Sequence, residues 1–400
     1  MIRFKNYVGI IIVCLCVAVF SCDDESGVSG GDDSVQPDAT VTSDTLAKGT
    51  DEQTVAESEE DAGDDISAAA LLSEDEVSSV KDSIWTVVDN IPDAENAFFT
   101  DTGRLFVTGG NSLFEIIDGY SAVRVLHDAY GIFGGIAQSG KWLYVIYHRV
   151  NLSLGSIDLC SAIKSGNYSV LFGTLSDGLM KKSLYRADLS AASDPEDLVF
   201  EEVHEFENMF LPNGLAADSE GSLYVTDYTI LPCGQIVKLV ISDDETPVIT
   251  QETWLSYKTG ACAPNGIVIR DDVVYYTDFL VTGYKQARVK KVAIENGAAA
   301  GKPEIIYSAF GMFDDLDVST YRGDPVVAIA NYMGNSIILF NETTEEASKL
   351  GYGKFICPSS VHFGSGDLFD SNELIVTEKG IMYETYSSIG NKVKCMSIPE

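Results

Sequence analysis

The chain has 400 residues, of which 61 are Asp or Glu and 26 are Lys or Arg, for a formal net charge of −35. No basic patch is available to neutralise phosphates, so nucleic acid is excluded as a partner. Hydrophobic residues make up 45% of the chain, enough to bury a sizeable core.

Residues 1–21 read as a signal peptide: Arg3 and Lys5 form a basic start, residues 8–20 are apolar, and small Ser21 precedes Cys22. Val19-Phe20-Ser21-Cys22 also resembles a bacterial lipobox, in which Cys22 is lipidated and becomes the new N-terminus, although Phe20 is not its favoured residue and the alternative is an ordinary secretory signal. The expectation is a protein held at the bacterial cell envelope, outside the cytoplasm, by an N-terminal lipid anchor in the membrane.

Residues 22–82 are expected to form a disordered acidic linker. From Asp23 to about Val80 there is no aromatic residue and Lys48 is the one cation, beside acid runs such as Glu74-Asp75-Glu76. Such a stretch buries too little apolar surface to offset its ordering entropy. Residues 68–72 are the one place where a helical turn is expected.

Residues 83–400 read as all-β. Runs of Val, Ile, Tyr and Phe alternate with Gly, Asp, Asn and Ser turns, and helical periodicity is scarce. Residues 83–90, SIWTVVDN, are expected to pair with the last part of the chain and close a ring.

An internal repeat organises this region. Residues 211–228, LPNGLAADSEGSLYVTDY, are echoed at residues 263–279, APNGIVIRDDVVYYTDF. Both copies run from Pro-Asn-Gly through a strand, a polar turn and a second strand ending Thr-Asp-aromatic. More divergent copies begin at Pro92, Phe133, Phe313 and Pro358. The steps between successive starts are 41, 79, 52, 49 and 45 residues. Four-stranded propeller blades need about 40–50 residues each. The fold predicted is therefore a six-bladed β-propeller after a signal peptide and a disordered acidic linker, with an insertion in the long second step. Residues 183–189, SLYRADL, are read as the outer strand of blade two, which leaves roughly residues 160–179 as an inserted loop.

Five cysteines follow Cys22: Cys160, Cys233, Cys262, Cys357 and Cys395. Their spacing fits no zinc motif, and an odd number leaves at least one unpaired. Cys233 and Cys262 fall in loops of neighbouring blades on one face, and a disulfide is expected between them.

A polar residue at the head of a first strand is expected to point at the mouth of the central tunnel, although blades two and six break the pattern with Gly134 and Ser359. Four blades place an oxygen ligand there: Glu95, Asn213, Asn265 and Asp314. Two carboxylates and two amide carbonyls suit Ca²⁺, and Mg²⁺ less readily. Soft ligands are absent, which argues against zinc or copper. The competing reading of Pro-Asn-Gly is a plain turn with Gly at positive φ. Asp227 and Asp278, after the second strands, read equally well as supporting carboxylates or as turn residues.

With the Pro212-Asn213-Gly214-Leu215-Ala216, Pro264-Asn265-Gly266-Ile267 and Asp314-Asp315-Leu316 segments and Glu95, residues 83–400 resemble the six-bladed calcium-dependent propellers. These are the senescence-marker/gluconolactonase-like lactonases and, more distantly, paraoxonases and strictosidine-synthase-like proteins. Pro358-Ser359-Ser360-Val361 is similar to the family's last-blade start. The resemblance implies a tunnel-mouth Ca²⁺ on Glu95, Asn213, Asn265 and Asp314, with a lactone or small ester as substrate and Asp314 as the base. Asp315 beside it could share the proton. The paraoxonase resemblance implies a catalytic histidine, for which His148 at the end of Tyr144-Val145-Ile146-Tyr147 is the candidate. His362 reads as structural. Motifs for a serine or cysteine nucleophile are absent. The alternative function is a non-enzymatic binding or scaffold propeller with a structural calcium. Either form is expected to be a monomer.

Overall fold

The computed structural model describes residues 71–150, 180–228, 234–242, 246–279, 287–380 and 389–399. Their strands form six sheets. Blade one is β2 (Ala94–Phe99), β3 (Leu105–Gly109), β4 (Ser112–Ile116) and β5 (Ala122–His127). Blade two is β6 (Gly131–Ser139), β7 (Trp142–Val150), β8 (Met180–Asp188) and β9 (Glu201–Glu205). Blade three is β10 (Pro212–Ala217), β11 (Leu223–Asp227), β12 (Gln235–Ile241) and β13 (Ile249–Ser256). Blade four is β14 (Pro264–Arg270), β15 (Val273–Phe279), β16 (Ala287–Glu295) and β18 (Glu304–Ala309), with the short β17 (Ala298–Ala299) also on β16. Blade five is β19 (Phe313–Tyr321), β20 (Asp324–Asn331), β21 (Ser336–Asn341) and β22 (Ala347–Leu350). Blade six is β23 (Pro358–Phe363), β24 (Glu373–Glu378), β25 (Lys392–Ser397) and, from the other end of the chain, β1 (Ile84–Asp89).

This six-bladed β-propeller is the architecture expected from the repeat. β1 pairs antiparallel with β25, from Ile84 opposite Met396 to Asp89 opposite Lys392, so the two ends of the chain close the ring. The middle strands are buried along most of their length because both of their faces are covered by neighbouring blades; every residue of β11 and of β21 is buried. Outer strands such as β13 alternate toward solvent. The core lies between blades: Phe106 and Leu113 of blade one pack with Phe133, Leu143 and Val145 of blade two. Burying one such side chain contributes about 1.5–3 kcal/mol.

Two expectations are corrected. The segment before Ser83 was expected to lack structure, but Glu74–Asp82 is a helix, α1. Ser73 and Glu76 form a reciprocal capping box, and the acids Glu74, Asp75 and Glu76 fill the first turn, where the helix dipole favours them. Leu72 and Val80 are buried with Val326 and Leu350 of blade five and Met396 of blade six, and the Leu72 N–H donates to Ser348 Oγ at 2.8 Å. Acidic composition thus hid a docked, capped helix. The second correction concerns blade two. Ser183–Asp188 belong to β8, the third strand, and Glu201–Glu205 form the outer one. The insertion therefore lies within blade two, between β7 and β8, where residues 151–179 fall outside the described residues.

Every first strand is irregular at its head. The register shifts between Ala94 and Ala97, Phe133 and Ile136, Pro212 and Leu215, Pro264 and Ile267, Phe313 and Leu316, and Pro358 and Ser360. A bulge at the same place in six blades turns the side chains at that place out of the normal alternation.

Candidate metal centre at the bulged strand heads

The bulges carry the polar residues singled out in the sequence. Pro212-Asn213-Gly214 and Pro264-Asn265-Gly266 are strand, not free turn, and neither glycine has a positive φ. Both glycines are required by packing. A Cβ on Gly214 would lie 2.4 Å from the Asn265 carbonyl oxygen, and one on Gly266 would lie 2.5 Å from Asp315 Cα. The absence of a side chain lets each bulge sit against the next.

The threonine of the repeat fastens these bulges. Thr226 Oγ1 accepts from the Gly214 N–H at 2.7 Å and donates to the Asn265 carbonyl of the next blade. Thr277 Oγ1 accepts from the Gly266 N–H at 2.9 Å and donates to the Asp314 carbonyl at 2.6 Å. Thr377 Oγ1 does the same between the Ser360 N–H, at 2.8 Å, and the Glu95 carbonyl, at 2.7 Å. Each hydroxyl satisfies one buried donor and one buried acceptor, groups that are costly to leave unpaired.

The side chains fastened in this way converge. Asn213 Nδ2 donates to Asn265 Oδ1, and Asn265 Nδ2 donates to Asp314 Oδ1 at 2.5 Å. Burial and the neighbouring Glu95 carboxylate push the Asp314 pKa well above its usual 3.8, and the Lys379 ammonium pulls against them. Glu95, Asn213, Asn265 and Asp314 thus form one polar cluster spanning blades one, three, four and five. In blade six Ser359 holds the matching position, but its hydroxyl donates to the Ala94 carbonyl at 2.6 Å.

The donor set fits a hard cation: two carboxylates and two amides whose oxygens can turn inward, with no sulfur or imidazole among them. Among the described residues no group of three or more His, Cys, Asp or Glu side chains is placed to hold a metal. A metal here therefore depends on the amide oxygens.

One member of the cluster was missed. Lys379 Nζ forms an ion pair with Glu95 Oε2, and the two side chains are 18% and 15% exposed. Lys379 follows Thr377-Glu378, where blades three and four have Tyr228 and Phe279. The available signal was this cation at the position where blades three and four carry an aromatic residue.

Asp315 sits one residue further along the same bulge, in the place of Gly214 and Gly266. His362 Nε2 is 3.7 Å from Asp315 Oδ2, and His362 Nδ1 is 3.6 Å from Asp317 Oδ2. Burial alone would lower the His362 pKa, but the two carboxylates overcome it and push it up to about 10. Asp315 is itself pushed up by burial, with His362 opposing. His362 thus lies between two acids, while its Nε2 is buried without a hydrogen-bond partner.

His148 lies in β7 and is buried. Its ring is hydrogen-bonded to the Pro212 carbonyl, one residue from Asn213, while Nε2 is buried without a hydrogen-bond partner. Burial, then the Lys182 charge, holds its pKa down at about 4 against the Pro212 bond, so the imidazole is neutral at pH 7. Asp227 and Asp278 tie down the loops that lead into the bulges. Asp227 Oδ1 accepts from the Phe210 and Leu211 N–H groups at 2.7 and 2.8 Å, and Asp278 Oδ1 accepts from the Ala263 N–H at 2.7 Å. Cys22 and Cys233 lie outside the described residues, and with them the lipidation and the Cys233–Cys262 bridge.

The fold and site define a class, the six-bladed β-propellers, and solved structures share it. A calcium-binding protein, regucalcin, from Agrobacterium tumefaciens is 13% identical with a TM-score of 0.51, over 78% of this chain and 91% of that one. An aldose sugar dehydrogenase from Streptomyces coelicolor, in a PQQ-bound form, is 11% identical with a TM-score of 0.53, over 78% and 97%. A glucose dehydrogenase is 9% identical with a TM-score of 0.50, over 79% and 99%. No protein-family model and no curated protein matches the chain. At these identities the likeness establishes the shared fold.

Proposed function

We propose that this protein is a calcium-dependent hydrolase of lactones or small esters, held at the cell envelope through Cys22. The observation that carries the reading is the contact chain Asn213–Asn265–Asp314, with Glu95 close enough to act on Asp314. Glu95, Asn213, Asn265 and Asp314 would hold the ion. A bound divalent cation supplies Lewis-acid stabilisation of the charge that develops on an ester carbonyl oxygen.

The chain's own residues divide the remaining work. Asp314, held by the Asn265 amide, would take the proton from the attacking water. Asp315 packs over Gly266 and is paired with His362, so its part is to position the blade-five bulge. His148 is the second candidate acceptor. Its ring, bonded to the Pro212 carbonyl, leaves Nε2 with a bare lone pair, but a pKa of about 4 makes it a weak base at pH 7.

A panel of lactones and aryl esters, assayed with Ca²⁺ and with chelator, tests the reading. Turnover that requires Ca²⁺, and that Asp314→Asn lowers by more than its lost metal occupancy, is expected. Calcium binding without turnover of any substrate would leave a scaffold propeller instead. Release of Cys22→Ser into the soluble fraction tests the anchor; a wild type already soluble after signal removal would contradict it.

A further inference from the structure

We propose that Lys379 is a tethered counter-cation of the bulge cluster: its ammonium holds Glu95 in the metal-free protein and must leave it for a divalent ion to bind. The proposal rests on the cation-site reading above and adds to it the residue that sets its affinity.

The position of Lys379 is fixed by the repeat. Its N–H donates to the Cys357 carbonyl, as the Tyr228 N–H donates to Leu211 and the Phe279 N–H to Ala263. The same backbone bond thus carries an aromatic side chain in blades three and four and an ammonium in blade six. Only in blade six does this place lie next to Glu95 of blade one, because the ring closes there. Lys379 and Glu95 are each largely shielded from water, so their attraction is less screened than that of a surface pair.

Charge accounts for the rest. The cluster brings the Glu95 and Asp314 carboxylates together in a shielded place, and Lys379 is the cation that offsets them. A divalent ion on Glu95 would meet this ammonium as a like charge at the same carboxylate. Binding then requires the lysine to swing away from Glu95. Lysine and metal are therefore competitors for one carboxylate, and a competitor tied to the chain cannot be diluted away. Such coupling lowers affinity for the ion and makes the lysine a threshold for metal loading.

The test is calorimetric titration of Ca²⁺ into the full processed protein, comparing wild type with Lys379→Met. The variant should bind about tenfold more tightly, within the usual range of coupling between linked sites. Its melting temperature in chelator should fall below that of wild type, and Ca²⁺ should raise it by more. If Lys379→Met does not fold, Lys379→Gln, which keeps a polar end but no charge, is titrated in its place. Equal or weaker binding in the variant overturns the tethered cation while leaving the site intact. No binding in wild type or variant overturns the site itself, and the proposal with it.

Discussion

Thr277 and Asp314 are joined across a blade boundary: the Thr277 hydroxyl donates to the Asp314 carbonyl at 2.6 Å while accepting from the Gly266 N–H at 2.9 Å. The hydroxyl therefore sets the distance between the Asn265 bulge and the Asp314 bulge. Thr277→Val keeps the volume and removes both bonds, leaving a buried N–H and a buried carbonyl without that partner. Stability measured in urea should fall by about 1–3 kcal/mol. Thr277→Ser, which retains the hydroxyl, should recover most of the loss. An equal loss in both variants would mean that the methyl group, not the hydroxyl, matters.

Gly266→Ala should separate blades four and five. The new Cβ would lie 2.3 Å from Asp315 Oδ1 and 2.5 Å from Asp315 Cα, and the second of these is backbone that cannot rotate away. The expected cost is about 1–3 kcal/mol, as for other overpacked positions. Displacing this bulge also moves Asn265 relative to Asp314, so calcium affinity should fall with stability. Unchanged stability would show that the bulges are not in contact.

The sequence carried much of this, and the reasons for the gaps are physical. Pro212-Asn213-Gly214 and Pro264-Asn265-Gly266 were legible because a repeat multiplies one weak signal, and the ring places equivalent residues around one axis. The part played by their glycines was not legible: positive φ and close packing select the same residue. Lys379 was hidden because its meaning depends on blade six meeting blade one, a contact between residues 284 apart in the chain. α1 was hidden by its charge. Its Ser73-to-Glu76 capping box was readable, but composition weighed against a helix whose few apolar residues all dock.

That helix yields a local prediction. Ser73→Ala removes the side chain that accepts from the Glu76 N–H. It should cost about 1 kcal/mol of stability, the usual value for an N-cap. No loss in thermal or urea unfolding would mean that α1 contributes nothing to the folded domain.

His148 and His362 should give stability opposite dependences on pH. His148 has its pKa held at about 4, below the ordinary 6.5, so the unfolded chain binds a proton that the folded protein refuses. Its contribution is complete above pH 6.5 and is lost as pH falls toward about 4; at 1.36 kcal/mol per unit it is about 3 kcal/mol at most. His362, raised to about 10 by Asp315 and Asp317, contributes fully below pH 6.5 and loses its contribution as pH rises toward about 10. Urea unfolding across pH should therefore show His148→Gln with a flatter acid limb and His362→Gln with a flatter alkaline limb. The same slope in wild type and variant would refute the assignment for that residue.

The central claim is that four bulges build one cation site, and a crystal soaked in Ca²⁺ tests it most directly. Anomalous difference density should show one peak with oxygens of Glu95, Asn213, Asn265 and Asp314 about 2.3–2.6 Å away, and with the Lys379 ammonium moved off Glu95. No peak at that point, or a peak that leaves two of these four side chains out, would contradict the account.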